Sequence, residues 1–190
     1  DNGANPHDLT AYGDIDGREI AHSYENMGKV GSFISEGTAW ANVSNTPLSY
    51  FKSTTAEGGI NTPLIISGKG ISKGKIDTKN LLHVADIMPT LLEWIDCKRP
   101  NTFKGNQLHS FYGKSFVNFL NSKAGQKSFR DKEEAFCIEM VDSKAVFKGN
   151  WKARMIQKPY GDGKWELYDL SKDITESTDL SKQNPKKLEE

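Results

Sequence analysis

The strongest constraint on this chain lies between residues 135 and 169, where four short strand-like runs follow one another with almost no chain between them. Ala135–Met140 and Lys144–Lys148 are joined through Asp142-Ser143, the next pair through Gly149-Asn150, and Trp151–Lys158 reaches Trp165–Asp169 through Pro159 to Gly163. Connections this short favour antiparallel hairpins, because a parallel crossover needs a dozen or more residues. Trp151, Ala153 and Met155 alternate with Lys152 and Arg154, which predicts a sheet with an apolar, buried face and a charged, solvated one. Asn184-Pro185 is a helix start, and the helix behind it is the expected cover for the apolar face.

Upstream of this α+β unit the pattern is that of an α/β domain. Leu64-Ile65-Ile66, between Pro63 and Ser67-Gly68, reads as a short buried strand. Leu81 to Ile95 is apolar at 81, 82, 84, 85, 87, 88, 91, 92, 94 and 95, predicting a helix buried on most of its circumference. Pro89 fits that helix if Asp86 caps it, since the ring then falls in the first turn. His83 and Asp86, three apart, read as local capping rather than as a metal pair. Residues 3–46 show no sustained period and read as a long functional loop region, anchored by Tyr12, Tyr24, Phe33 and Trp40. The expected division is 1–100 for the α/β part and 101–190 for the small antiparallel subdomain. The chain starts at Asp1 without Met, and only Lys186 to Glu190 follow Pro185, so both ends read as cuts in a longer protein.

Composition narrows the partners. Lys plus Arg and Asp plus Glu both number 25 in 190 residues, so zero net charge offers no electrostatic case for nucleic acid or an anionic membrane. No apolar run approaches the roughly 18 residues of a membrane span. The two cysteines, Cys97 and Cys137, rule out a disulfide-dense scaffold and a Cys-rich zinc module.

Two local patterns bear on chemistry. Asp1-Asn2 before Gly3 is either a turn, which Asn-Gly favours, or a pair of oxygen donors for a hard divalent cation. Two donors cannot fill a six- to eight-coordinate site, so the rest would come from elsewhere. In Lys52-Ser53-Thr54-Thr55-Ala56-Glu57-Gly58-Gly59, the Lys can present an ammonium to an anionic ester beside a sharply bent backbone; taken alone, such a Lys is usually a solvated surface residue. No Ser or Cys sits in a nucleophile elbow, and neither a P-loop nor G-x-G-x-x-G occurs.

Taken together and in order, several stretches carry a family resemblance. They are Asp1 to Ala4, Ser23 to Gly28 with Gly31-Ser32-Phe33, Trp40 to Pro47, Phe51-Lys52, Glu57 to Ile65, His83 to Leu92, Gly113 to Phe116, Lys148 to Lys152 and Trp165 to Leu170. The chain resembles the C-terminal portion of a type I sulfatase, an arylsulfatase-like member of the alkaline phosphatase superfamily. The resemblance implies the distal part of the sulfatase α/β fold, followed by a small α+β unit with a four-stranded antiparallel sheet and a C-terminal helix. It implies that Asp1 and Asn2 are metal ligands, for Ca²⁺ before Mg²⁺, that Lys52 contacts the sulfate group and the nucleophile, and that segment 3–46 lines the substrate cleft. It also implies a periplasmic, secreted or lysosomal-type setting and a sulfate-ester small molecule or sulfated glycan as partner.

The family's nucleophile is a hydrated formylglycine made from the Cys or Ser of a C/S-x-P-x-R motif. Two residues before the seven prolines stand Ala4, Asn45, Asn61, Ile87, Lys98, Gln157 and Gln183, so the motif is absent, and Cys97-Lys98-Arg99-Pro100 has its Pro at the wrong offset. The nucleophile and the earlier metal ligands are therefore expected upstream, on the missing N-terminal part, and the chain alone is expected to be inactive and to self-associate. Ser49, Ala56 and Asn61 depart from the family pattern; Ser49 and Asn61 stand where Arg is frequent, which bears on cleft charge. Two other readings stay open: a non-catalytic pseudo-sulfatase or sulfated-glycan-binding module, and a related phosphodiesterase or phosphonate hydrolase with a two-metal ligand set.

Overall fold

A computed structural model describes residues 2–7, 24–30, 36–78, 80–121 and 129–190. In chain order the elements are a 3-10 turn at Tyr24–Asn26, α1 (Gly37–Ser44), α2 (Glu57–Ile60), a second 3-10 turn at Val84–Asp86, α3 (Ile87–Trp94), β1 (Thr102–Phe103), β2 (Asn106–Gln107), α4 (Val117–Asn121), β3 (Ala135–Met140), β4 (Ser143–Lys148), β5 (Trp151–Met155), β6 (Trp165–Asp169) and α5 (Pro185–Glu189). They form two compact units, one of Asp1–Pro63 with Ala135–Glu190 and one of Leu64–Glu134. That is a different cut from the sequence division at residue 100. No helix among the described residues is long and apolar enough to cross a membrane.

In the first unit the expected sheet is present, in the order β3-β4-β5-β6, with every pair antiparallel. The first hairpin turns at Val141 and Asp142, with φ of 50° and 61°, one residue earlier than the sequence suggests. Positive φ at both central residues is what a two-residue turn needs to match the strand twist. The expected burial is inverted. Lys152 and Arg154 are the buried residues of β5, at 0% and 3% exposure, while Trp151, Ala153 and Met155 are half-buried. Register places Phe147 and Tyr168 opposite Lys152, and Ala145 and Glu166 opposite Arg154, so the buried face mixes aromatics with two cations. Burying cations is tolerable only when carboxylates come with them, and alternation within β5 carries no information about such partners.

The cover over this sheet is not the C-terminal helix. Asn184 does occupy the N-cap position with Pro185 behind it, but α5 has no buried residue. Segment 51–57 packs on the sheet instead, with Phe51, Thr54, Thr55, Ala56 and Glu57 buried. Thr55 Oγ1 donates to the Lys144 carbonyl at 3.1 Å, and the Phe51 and Tyr160 rings meet edge-on at 4.9 Å. The anchoring expected of the loop aromatics also fails where it can be seen: Tyr24 and Trp40 are exposed, and Tyr12 and Phe33 lie outside the described residues.

In the second unit Asp86 stands at the N-cap of α3, which puts Pro89 in the first turn as expected. Its side chain does not cap that helix. The carboxylate accepts the His83 N–H at 2.7 Å and the Lys114 N–H at 2.7 Å, and both oxygens lie 2.8 Å from Arg130 Nη2. His83 Nδ1 in turn accepts the Ala85 N–H, completing a capping box over the 3-10 turn. The His83–Asp86 pair is thus structural capping. Two expectations fail here. Leu64-Ile65-Ile66 forms no strand, and Ile65 is 90% exposed, because no described segment pairs with it. Only Thr90 of α3 is buried, while Val84, Met88, Leu91 and Ile95 form an exposed apolar stripe at helical spacing that no described layer covers.

Candidate functional site

Lys52 sits on a loop that runs from residue 45 into α2 and that several close backbone contacts hold in shape. The loop reverses through Tyr50 and Ser53, both left-handed at φ 60° and 72°. Each such conformation costs a non-glycine residue about 1–3 kcal/mol and persists only where the surroundings impose it. Those surroundings are visible. Asn45 Nδ2 donates to the Tyr50 carbonyl at 3.0 Å, Thr54 Oγ1 to the Phe51 carbonyl at 2.8 Å, and Gly58 N to the Ser49 carbonyl at 2.8 Å. A Cβ on Gly58 would lie 2.3 Å from the Tyr50 carbonyl oxygen, so only glycine lets the two strands of the loop close.

The same loop receives the segment that follows Asp1-Asn2. Lys52 N donates to the Ala4 carbonyl at 3.1 Å, Gly3 N to the Gly59 carbonyl at 3.3 Å, and Ala4 N to Asn45 Oδ1 at 3.2 Å. A Cβ on Gly3 would meet the Gly58 carbonyl oxygen at 1.8 Å. Two candidate stretches some fifty residues apart are therefore bonded side by side. Asn2 is exposed, and Asp1 lies outside the described residues. Lys52 is half-buried, and its ammonium has no ion-pair or hydrogen-bond partner among the described residues.

Beneath the loop lies a buried ionic network that the sequence reading missed. Lys152 Nζ lies 2.7 Å from Glu57 Oε1 and 2.8 Å from Glu176 Oε1, the second an ionic contact without hydrogen-bond alignment. Arg154 donates from Nη1 to Glu176 Oε2 at 2.6 Å, from Nε to Glu166 Oε2 at 2.8 Å and from Nη2 to Tyr168 Oη at 2.9 Å. Ser49 Oγ donates to Glu176 Oε2 and Asn61 Nδ2 to Glu57 Oε2, so two of the three departures from the family pattern meet the two buried carboxylates. Burial works against the Arg154 charge, but Glu176 and Glu166 outweigh it and raise its pKa further. Burial pushes the Tyr168 hydroxyl up, against the pull of Arg154.

Glu176 reaches this network from a loop built on Asp173. The Asp173 carboxylate accepts Thr175 Oγ1 at 2.7 Å, Ser177 N at 2.9 Å and Thr178 N at 2.9 Å. Burial raises its pKa, but these donors prevail and bring it down to about 2 from 3.8. A carboxyl held lower in the folded state stabilises the fold above its unfolded pKa, and that stability is lost as pH falls through the folded value. Asp173→Asn is therefore expected to lower stability at pH 6 and to flatten its decline between pH 4 and pH 2, read by denaturant titration at each pH. An unchanged acid slope would remove Asp173 from this role.

The described residues do not by themselves form a Ca²⁺ site. Among them no group of three or more His, Cys, Asp or Glu side chains is arranged to hold a metal ion, and Asn2 brings one neutral amide oxygen where six to eight oxygens are needed.

No family model matches the chain. It is 34% identical over 171 residues to an uncharacterized sulfatase of Schizosaccharomyces pombe, covering 89% of this chain and 30% of that protein. It is 48% identical over 98 residues to an arylsulfatase of Klebsiella aerogenes, covering 50% of this chain and 21% of that enzyme. The chain thus spans less than a third of the length of these relatives. The solved structure of a 2-O GAG sulfatase superposes with a TM-score of 0.55 at 22% identity, over 80% of this chain and 32% of that one, a likeness of fold. The sequence relatives make this chain a C-terminal sulfatase-like portion, and the solved structure shares its fold.

Proposed function

We propose that this chain is the distal part of a sulfuric ester hydrolase and that Lys52 is its contribution to the reacting site. In this reading Asp1 and Asn2 give donors to a divalent cation completed by ligands outside the chain, and the formylglycine nucleophile also comes from outside it. The supporting observation is the Lys52 N–H bond to the Ala4 carbonyl, two residues beyond Asn2, which ties the proposed metal-ligand segment to the loop bearing the cation.

A sulfate monoester carries one delocalised negative charge, and breaking its S–O bond develops charge on the leaving oxygen. A fixed ammonium counters that charge as it moves and needs no reorganisation to do so. Lys suits the task because a compact point charge is wanted, not a planar fork. The loop's constraints support the role, since a cation on a wandering loop would gain little from its charge.

The test is a substrate panel on the full-length protein: 4-nitrophenyl sulfate, 4-nitrophenyl phosphate and bis(4-nitrophenyl) phosphate. Turnover highest on the sulfate is expected. Preference for the diester would move the protein to the phosphodiesterases, and binding of sulfated sugars without any turnover would leave a non-catalytic module.

A further inference from the structure

A carboxylate from far along the chain closes both ends of the Lys52 loop. Glu176 Oε2 accepts Ser49 Oγ at 2.6 Å and Glu57 N at 2.7 Å, so residues three before and five after Lys52 hang on one oxygen. Arg154 Nη1, 2.6 Å from that same oxygen, ties it to β5, and Lys152 holds Oε1 at 2.8 Å. Glu176 is 4% exposed and left-handed at φ 52°, a backbone state that non-glycine residues seldom adopt. Charge balance alone does not require this arrangement. A carboxylate that only neutralised Lys152 and Arg154 would have no need to accept a hydroxyl and a backbone N–H from opposite ends of one loop.

We infer that Glu176 is a positioning residue: it fixes the loop at Ser49 and Glu57 so that the Lys52 ammonium is presented in one place. This rests on the reading of Lys52 as the group that meets the sulfate. Glu176 touches no substrate in this account and acts only through the loop.

Ser49→Ala makes the cleaner test, because it removes the Ser49 tether, together with the Arg154 Nη1 bond to the same hydroxyl at 2.9 Å, and leaves every charge of the network in place. In the full-length protein with 4-nitrophenyl sulfate, well below each variant's melting midpoint, Ser49→Ala is expected to lower kcat about threefold to tenfold with KM within about twofold. Glu176→Gln is expected to lower kcat about tenfold or more. Placed on Lys52→Ala, neither change should reduce kcat further, since a residue acting through Lys52 has nothing left to position. Hydrogen exchange supplies a readout without turnover: Ser49→Ala should speed exchange at the amides of residues 52–59 while those of β4 and β5 stay protected. Wild-type kcat in both variants, losses that multiply with Lys52→Ala, or exchange rising equally in loop and sheet would each overturn the inference. If Glu176→Gln does not fold, Ser49→Ala decides alone. Wild-type kcat in Lys52→Ala would fell the reading of Lys52 itself, an outcome distinct from additivity.

Discussion

Replacing Lys152 by Met is expected to destabilise the protein by about 3–5 kcal/mol, the usual cost of breaking a buried ion pair from one side. Lys152 is fully buried and lies 2.7 Å from Glu57 and 2.8 Å from Glu176. Met has nearly the same length and keeps the packing of the stem, so the loss isolates the charge. Without the ammonium, Glu57 keeps one side-chain donor among the described residues, Asn61 Nδ2, and Glu176 keeps Arg154 and Ser49. The site then buries two carboxylates against one guanidinium, which is the unfavourable state. The reading is a fall in the denaturant midpoint at constant m, since only a change at constant m reports stability alone. Lys152→Met with Glu57→Gln should recover part of the loss, because the pair leaves together. A loss below about 1 kcal/mol would be that of a solvent-screened surface pair and would contradict the burial.

This network also marks where the sequence stopped being legible. Connection length alone disclosed the antiparallel sheet, since two residues between Lys148 and Trp151 leave no other pairing. Which face is buried was another matter. Alternation in β5 separates two faces but does not rank them, and the ranking turns on Glu57 and Glu176, which lie 95 residues before Lys152 and 22 residues after Arg154. A charged strand face is buried only when distant carboxylates arrive, and a local pattern holds no trace of them. The α3 stripe failed for a related reason: its apolar period is intrinsic, while its cover is a property of neighbours that the described residues do not supply. Pro89 and the His83–Asp86 pair were legible because capping is local. The proposal for Lys52 rests on the ordered resemblance around Glu57-Gly58-Gly59, since a lone Lys carries no signal.

Lys52→Ala is expected to lower kcat/KM for an aryl sulfate by about 10²–10³, the range found when one preorganised donor to a developing oxyanion is removed. Part of that loss belongs to KM, because the substrate is anionic before it reacts. The part that identifies catalysis is the fall in kcat, since an interaction equal in ground and transition states leaves kcat alone. Stability should hardly move. The ammonium has no partner among the described residues, and the backbone bond to Ala4 survives the substitution, so the change resembles a surface replacement of about 0.5 kcal/mol or less. Lys152→Met and Lys52→Ala are thus expected to dissociate: one lysine, buried and paired, carries fold without meeting substrate, and the other, half-buried and unpaired, carries rate without holding the fold. Lys52→Arg sharpens the distinction. It keeps the charge but spreads it over a planar fork, so about a tenth of the activity should return if position matters, and nearly all of it if charge alone does. A kcat/KM within about threefold of wild type in Lys52→Ala would return Lys52 to the solvated surface, where a lysine read without its context belongs.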